Sequence, residues 1–105
     1  MTTLLALYRR PEGGDDAVET FRRRYREDHL PLVAQTPGLR STTVQETTAK
    51  LMGDDVILAT RMEFDDRASL DAALASDAMR AAGKILREIA PGIVTLLVLE
   101  DTGVD

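Results

Sequence analysis

Phe21 to Arg40, FRRRYREDHLPLVAQTPGLR, is the stretch on which the reading of this chain turns. Val18, Phe21, Tyr25 and His29 fall at i, i+3, i+7 and i+11, so they share one helical face, while Arg22, Arg23, Arg24 and Arg26 point mostly elsewhere. His29, the only histidine, therefore continues an apolar stripe. Pro31 disfavours helical geometry at Leu30, which predicts a helix ending at about His29 and sets that imidazole near a helix C-terminus, close to the surface or a cleft. Leu30 to Leu39 is then a proline-bounded connection. Its Leu32 and Val33 are expected under the sheet, and Pro37-Gly38 turns the chain into the next strand.

Before this stretch, Thr2 to Arg9 (TTLLALYR) is apolar on both alternating faces, as a strand buried on both sides should be. Pro11, Gly13 and Gly14 form a turn, after which Asp15 or Asp16 can cap the first helix, Asp16 having Glu19 in the capping-box position. After it, Arg40 to Thr48 is rich in threonine and poor in large apolar groups, so it reads as a strand with one wet or cavity-facing side. Lys50 to Asp55, with Gly53, is the hairpin. Asp55 to Phe64 alternates, with Val56, Leu58, Thr60, Met62 and Phe64 on one face. Asp65 and Asp66 open a short helix carrying Leu70, Ala73 and Leu74 inward, and Ser76-Asp77 restarts it with Met79, Ala82, Leu86 and Ile89 inward. Ile93 to Leu99 is again apolar on both faces, and the acidic tail from Glu100 to Asp105 is expected to fray.

The totals narrow the function. A length of 105 residues fits one domain, 1–105. No run approaches the roughly 18 apolar residues of a membrane span, and Met1 to Leu7 lacks the basic leader of a signal peptide, so the cytoplasm is the expected location. Zero cysteines exclude disulfides, thiolate metal sites and a cysteine nucleophile, and one histidine makes any metal site improbable on composition. A net charge of −5 with few aromatics opposes nucleic-acid binding. The arginine cluster reads instead as a solvated helix face, with Glu19 to Arg23 and Arg23 to Glu27 spaced as i, i+4 ion pairs. Gly13-Gly14 has neither the pattern nor the lysine of a phosphate loop.

The order strand, helix, strand, strand, helix, strand is the split βαβ arrangement of a ferredoxin-like α+β protomer. Right-handed crossovers place both helices on one face of a four-stranded antiparallel sheet. Strands one and four remain apolar on the other face as well. Five such side chains left in water, at about 1.5–3 kcal/mol each, would rival the stability of a small domain. The expectation is a homodimer through the sheet face, leaving each subunit a small pocket between its sheet and the connections at its edge.

Together, LYRRP in the first strand, F-x3-Y-x3-H-x-P (Phe21, Tyr25, His29, Pro31) and PGLR (Pro37 to Arg40) resemble the EthD-like family of the dimeric α+β barrel superfamily. The resemblance covers almost the whole chain. It implies a ferredoxin-like protomer, pairing of two sheets into a barrel, an internal cavity and His29 at the pocket rim. Family members are named for a gene cluster of oxidative ether degradation, and the wider superfamily holds monooxygenases, lactone isomerases, polyketide cyclases and haem-handling proteins. With no tryptophan, the side chains of the haem-degrading relatives are missing here.

His29 is the candidate general acid or base, since imidazole exchanges a proton near neutral pH; the alternative is a ring that only hydrogen-bonds the Leu30 to Thr36 loop. A helix C-terminus favours its charged form and burial opposes it. Tyr8 is the candidate for orienting a substrate oxygen, or else a core ring with its hydroxyl at the edge. Tyr25, one turn before His29, is packing or a binding group. Arg40 and Arg61 could meet an anionic substrate, or pair at the edge with Glu46 or Glu63. Thr42 and Val44 share a strand face that could line the pocket, although β propensity alone accounts for them. Met62 and Met79 belong to the core. The function expected is a cofactor-independent catabolic or tailoring enzyme acting on a compact apolar, oxygenated or aromatic compound. The alternative is a non-catalytic binding or accessory protein for an oxidative degradation system.

Overall fold

A computed structural model of the protein describes residues 1–103. The strand apolar on both faces, β1 (Thr2–Arg9), lies inside the sheet, antiparallel to β3 (Val56–Phe64) on one side and to β4 (Val94–Glu100) on the other. The threonine-rich β2 (Ser41–Glu46) is the edge beyond β3, giving the order β2-β3-β1-β4. Single backbone bonds extend the β2 ladder at both ends, Arg40 N–H to Glu63 O (2.8 Å) and Thr47 N–H to Ile57 O (3.0 Å). This is the ferredoxin-like split βαβ fold, with α1 (Gly14–Arg24), α2 (Leu30–Val33), α3 (Arg67–Leu74) and α4 (Asp77–Ile89) on one face of the sheet.

Register separates the two faces. Leu4 lies between Met62 and Val98, Ala6 between Thr60 and Leu96, and Tyr8 between Leu58 and Val94, and this row meets the helices. Leu4, Ala6, Tyr8, Leu58 and Met62 are buried there with Phe21, Tyr25, Val33, Phe64, Leu70, Ala82 and Leu86. The opposite row sets Leu5 between Arg61 and Leu97, and Thr3 between Glu63 and Leu99; no helix covers it. Leu97 and Leu99 stay exposed on that face, which is the surplus apolar surface that the strand pattern implies. Both flanks of the helix-side row are bare as well, Val44 on β2 being 40% exposed and Leu96 on β4 54%.

The segment around His29 departs from expectation. The helix does not end there: Tyr25–His29 is a π-helical turn, the Leu30 N–H bonding the Tyr25 carbonyl, and α2 continues through Pro31 to Val33. Two causes act together. Proline has no N–H and its ring crowds the carbonyl four residues back, which a widened turn relieves. The buried positions Phe21, Tyr25, His29 and Val33 also repeat every fourth residue. In an α-helix of about 100° per residue, three such steps drift by about 120°, and the wide turn takes up the drift.

Other local readings need correction. Asp15 and Asp16 do not cap α1; Gly13 occupies that position at φ 112° with no side-chain bond, and Asp15 and Asp16 fall in the first turn. A Cβ at Gly13 would meet the Ala17 Cβ at 3.0 Å, so glycine is required there. Asp66 and Ser76 do cap α3 and α4, accepting from Ser69 N–H (2.8 Å) and Met79 N–H (3.2 Å). Leu74, expected inward, is exposed. Glu100 does not fray: it pairs with Thr2, whose hydroxyl donates to Glu100 Oε1 (3.2 Å), while Val104 and Asp105 lie outside the described residues.

Candidate functional site

Three of the residues singled out from sequence meet between α1 and the sheet. Tyr8 rises from the helix side of β1, while Tyr25 and His29 begin and end the π turn. The rings form a ladder: Tyr8 to Tyr25 at 4.9 Å edge-on, Tyr25 stacked on His29 at 4.9 Å, and Phe21 within 5.5 Å of Tyr8 and 5.6 Å of Tyr25. All four are buried. Thr60 of β3 completes the cluster, its hydroxyl 2.5 Å from the Tyr25 hydroxyl, which also bonds that of Tyr8. Thr60 is the member that the sequence reading passed over. Its signal was a hydroxyl in an otherwise apolar row of β3, where burial demands a partner.

Burial governs the protonation states. It pushes the Tyr8 hydroxyl far above the ordinary phenol range, reinforced by the adjacent Tyr25 hydroxyl. It also raises Tyr25, with the bonds from Thr60 and Tyr8 opposing. His29, 5% exposed, is lowered from 6.5 by burial, and its bond to the Ala82 carbonyl only partly offsets this. Nδ1 lies 3.0 Å from the Ala82 carbonyl oxygen. A carbonyl only accepts, so Nδ1 carries the proton and the lone pair of the neutral ring is assigned to Nε2. Among the described residues Nε2 has no hydrogen-bond partner, and it is not one of the fully buried unpartnered side-chain atoms there, which are Arg22 Nε and Thr36 Oγ1. The result is a neutral base held in one tautomer by α4.

The other candidates lie apart from this cluster. Arg40 grips Asp65 with two bonds of 2.8 and 2.7 Å, neither Glu46 nor Glu63 being its partner; Glu46 pairs with Arg22. Arg61 stands on the open face opposite Leu5 and Thr43. Thr42 and Val44 face the helix side, and Val44 lies directly opposite Thr60. They form an uncovered strip beside the cluster. A cleft of about 1200 Å³ opens elsewhere, at the end of β1, between Arg9, Phe21, Arg24, Asp55 and Ile93; none of Tyr8, Tyr25, His29 and Thr60 lines it. Among the described residues, no three histidine, cysteine or acidic side chains are placed to hold a metal ion, and no helix is long and apolar enough to cross a membrane.

The split βαβ sheet with an aromatic-imidazole cluster under its first helix defines a ferredoxin-like small-domain class. No family model and no curated protein matches the chain. Among solved structures, an ethyl tert-butyl ether D (EthD) family protein from Bacillus halodurans is 33% identical over 97% of this chain and 99% of its own, with a TM-score of 0.86. The chain belongs to the EthD family. A dimeric ferredoxin-like protein of unknown function from Bacteroides fragilis (20% identity, 95% of both chains, TM-score 0.71) shares the fold. So does an antibiotic biosynthesis monooxygenase (17% identity, 97% of this chain, 99% of that one, TM-score 0.66).

Proposed function

We propose that the protein is a cytoplasmic catabolic or tailoring enzyme that needs no cofactor and moves a proton on a compact apolar, oxygenated or aromatic compound. The observation that carries this reading is the bond from His29 Nδ1–H to the Ala82 carbonyl, which leaves Nε2 as a neutral, preorganised base. Tyr8, kept protonated by burial and linked through Tyr25 to Thr60, orients a substrate oxygen. The bare strip of Thr42 and Val44 beside Thr60 supplies the apolar seat. Two copies pair through the open sheet face, joining Leu5, Leu97 and Leu99 to their counterparts; the Bacteroides fragilis neighbour, described as dimeric, supports this. Isomerisation and carbanion cyclisation begin with proton abstraction, as does the direct reaction of a substrate carbanion with oxygen, whereas decarboxylation makes the carbanion by loss of carbon dioxide and then takes up a proton from the same imidazole in its charged form.

The test is deuterium exchange. Enolisable aromatic ketones and phenols of roughly ten heavy atoms are incubated with the protein in heavy water and followed by proton NMR. Exchange is expected to fall by about 10²-fold or more in His29→Ala and to persist in Arg40→Ala. Equal exchange in His29→Ala and the parent protein refutes the role of His29. The deep burial of His29 favours a second reading, a non-catalytic accessory protein that holds such a compound for an oxidative system. That reading requires tight binding, recovery of the ligand unaltered, and an affinity indifferent to His29→Ala.

A further inference from the structure

Two arginines of the cluster on the first helix stand beside the one strand that the helices leave bare. β2 is exposed along its whole length. α1 and the π turn run antiparallel to it, and two side-chain bonds fix the alignment. Arg22 reaches Glu46 at the end of β2, and Tyr25 reaches Thr60, which lies opposite Val44. Four helical residues advance about 6 Å and two strand residues about 7 Å, so Arg26 stands level with Val44, and His29 lies further on toward Thr42. Val18, Arg22 and Arg26 line a shallow hollow of about 360 Å³ on this flank.

The charges along the flank are unevenly matched. Arg23 is held by Glu27, and Arg24 by Asp28 and Glu88. Arg26 enters no ion pair among the described residues, and Arg22 pairs only with Glu46. The acids that share the hollow, Asp15 and Glu19, lie about two turns and one turn before Arg22, on the side away from Val44 and His29. Arg22 itself is only partly satisfied. Its Nη1 bonds Glu46, while its Nε is buried with no hydrogen-bond partner among the described residues. A guanidinium can give a carboxylate two parallel N–H bonds, and Glu46 takes one.

We propose that Arg22 and Arg26 anchor the substrate, and that the substrate is a compact aromatic carboxylate whose anionic group displaces Glu46 while its ring lies on Val44 and Thr42. This rests on the small-molecule reading above and narrows it to one chemical class. The group that Arg22 holds in the free protein is already a carboxylate, so the site is built for that chemistry. Glu46 is 59% exposed, and an ion pair so open to water is readily exchanged. The incoming acid gains what Glu46 lacks. Its ring covers the exposed Val44, and with water excluded the contact with two guanidiniums strengthens. Anchoring at the Arg22 end also sets the orientation: the far end of the ring points toward His29, so the reacting carbon is the one remote from the carboxylate.

The test compares 4-acetylbenzoate with its neutral amide, 4-acetylbenzamide, by isothermal titration of the whole protein near neutral pH and at low salt. The acid is expected to bind at least about tenfold more tightly than the amide. In Arg22→Gln/Arg26→Gln, at positions outside the buried core, that preference should fall to about twofold or less, with the fold checked by circular dichroism. Arg80→Gln removes the same charge from an exposed position on α4 and should leave the preference intact. Glu46→Gln frees Arg22 and should tighten the acid about threefold or more without affecting the amide. Equal binding of acid and amide, or a preference that survives in the double variant or is lost equally in Arg80→Gln, overturns the anchor and leaves the small-molecule reading standing. An unchanged affinity for the acid in Glu46→Gln overturns the displacement. Binding of neither compound overturns the anchor and counts against the small-molecule reading with it.

Discussion

The buried hydroxyls of Tyr25 and Thr60 allow a quantitative test of the cluster. Thr60 is fully buried, Tyr25 nearly so, and their oxygens are 2.5 Å apart. Tyr25→Phe keeps the ring edge-on to Tyr8 and stacked on His29 but strands the Thr60 hydroxyl in an apolar surround. An orphaned buried hydroxyl costs about 1–3 kcal/mol. Thr60→Val preserves shape and deprives Tyr25 of one of its two partners, a loss of about 1 kcal/mol because the Tyr8 bond remains. Tyr25→Phe strands the Tyr8 hydroxyl equally in the single and the double variant, so that loss cancels; in Tyr25→Phe/Thr60→Val no Thr60 hydroxyl is left waiting, and the double variant should be less destabilised than the sum of the singles by about 1 kcal/mol or more. Urea unfolding at one fixed protein concentration measures all four proteins, since self-association would otherwise move the midpoint. Additivity within about 0.5 kcal/mol would show that the two hydroxyls do not share a bond and would refute the coupling.

The titration of His29 and the capping of α4 give two further outcomes. Because burial lowers His29 below its ordinary value of 6.5, the unfolded chain takes up the proton first; stability should be complete above that value and decline as pH falls through it toward the folded pKa. His29→Gln should flatten this part of the unfolding-versus-pH curve, leaving the loss from Asp55, Asp65 and Asp66, which their arginine and backbone partners hold low, to more acid conditions; an unchanged slope between pH 7 and 5 refutes the assignment. Thermal unfolding should separate a cap from a surface pair: Ser76→Ala removes the bond to the Met79 N–H and costs about 1 kcal/mol, whereas Arg40→Ala breaks only a solvent-exposed pair and changes stability far less.

Much of the architecture was legible because it rests on patterns with one physical meaning. Apolar runs at Thr2–Arg9 and Ile93–Leu99 marked strands, observed at Thr2–Arg9 and Val94–Glu100, and their surplus marked an uncovered face. Asp66 and Ser76 were readable as caps because their side chains bond their own neighbours. Pro31 misled, since a proline ends an α-helix only when the turn cannot widen, and here a widened turn both relieves the ring and keeps Phe21, Tyr25, His29 and Val33 buried along one side. Asp15, Asp16 and Arg40 misled for a related reason: which of several nearby polar groups closes on a helix end or a guanidinium is settled by the folded backbone and tertiary distances. The cluster itself was half legible. Tyr8, Tyr25 and His29 stood out by residue type and spacing, but the groups that set their chemistry, a threonine on β3 and a backbone carbonyl of α4, carry no local signature.

The π turn has one more consequence. A helix that absorbs a surplus residue without breaking is a place where a gene can gain or lose a codon and keep its strands in register. Such a change would rotate the downstream stretch from Pro31 by about 100° about the helix axis, and leave the ladder of β1 with β3 and β4 untouched. Length variation among homologous chains should therefore concentrate between Tyr25 and Pro31, and each step of it would re-aim the imidazole.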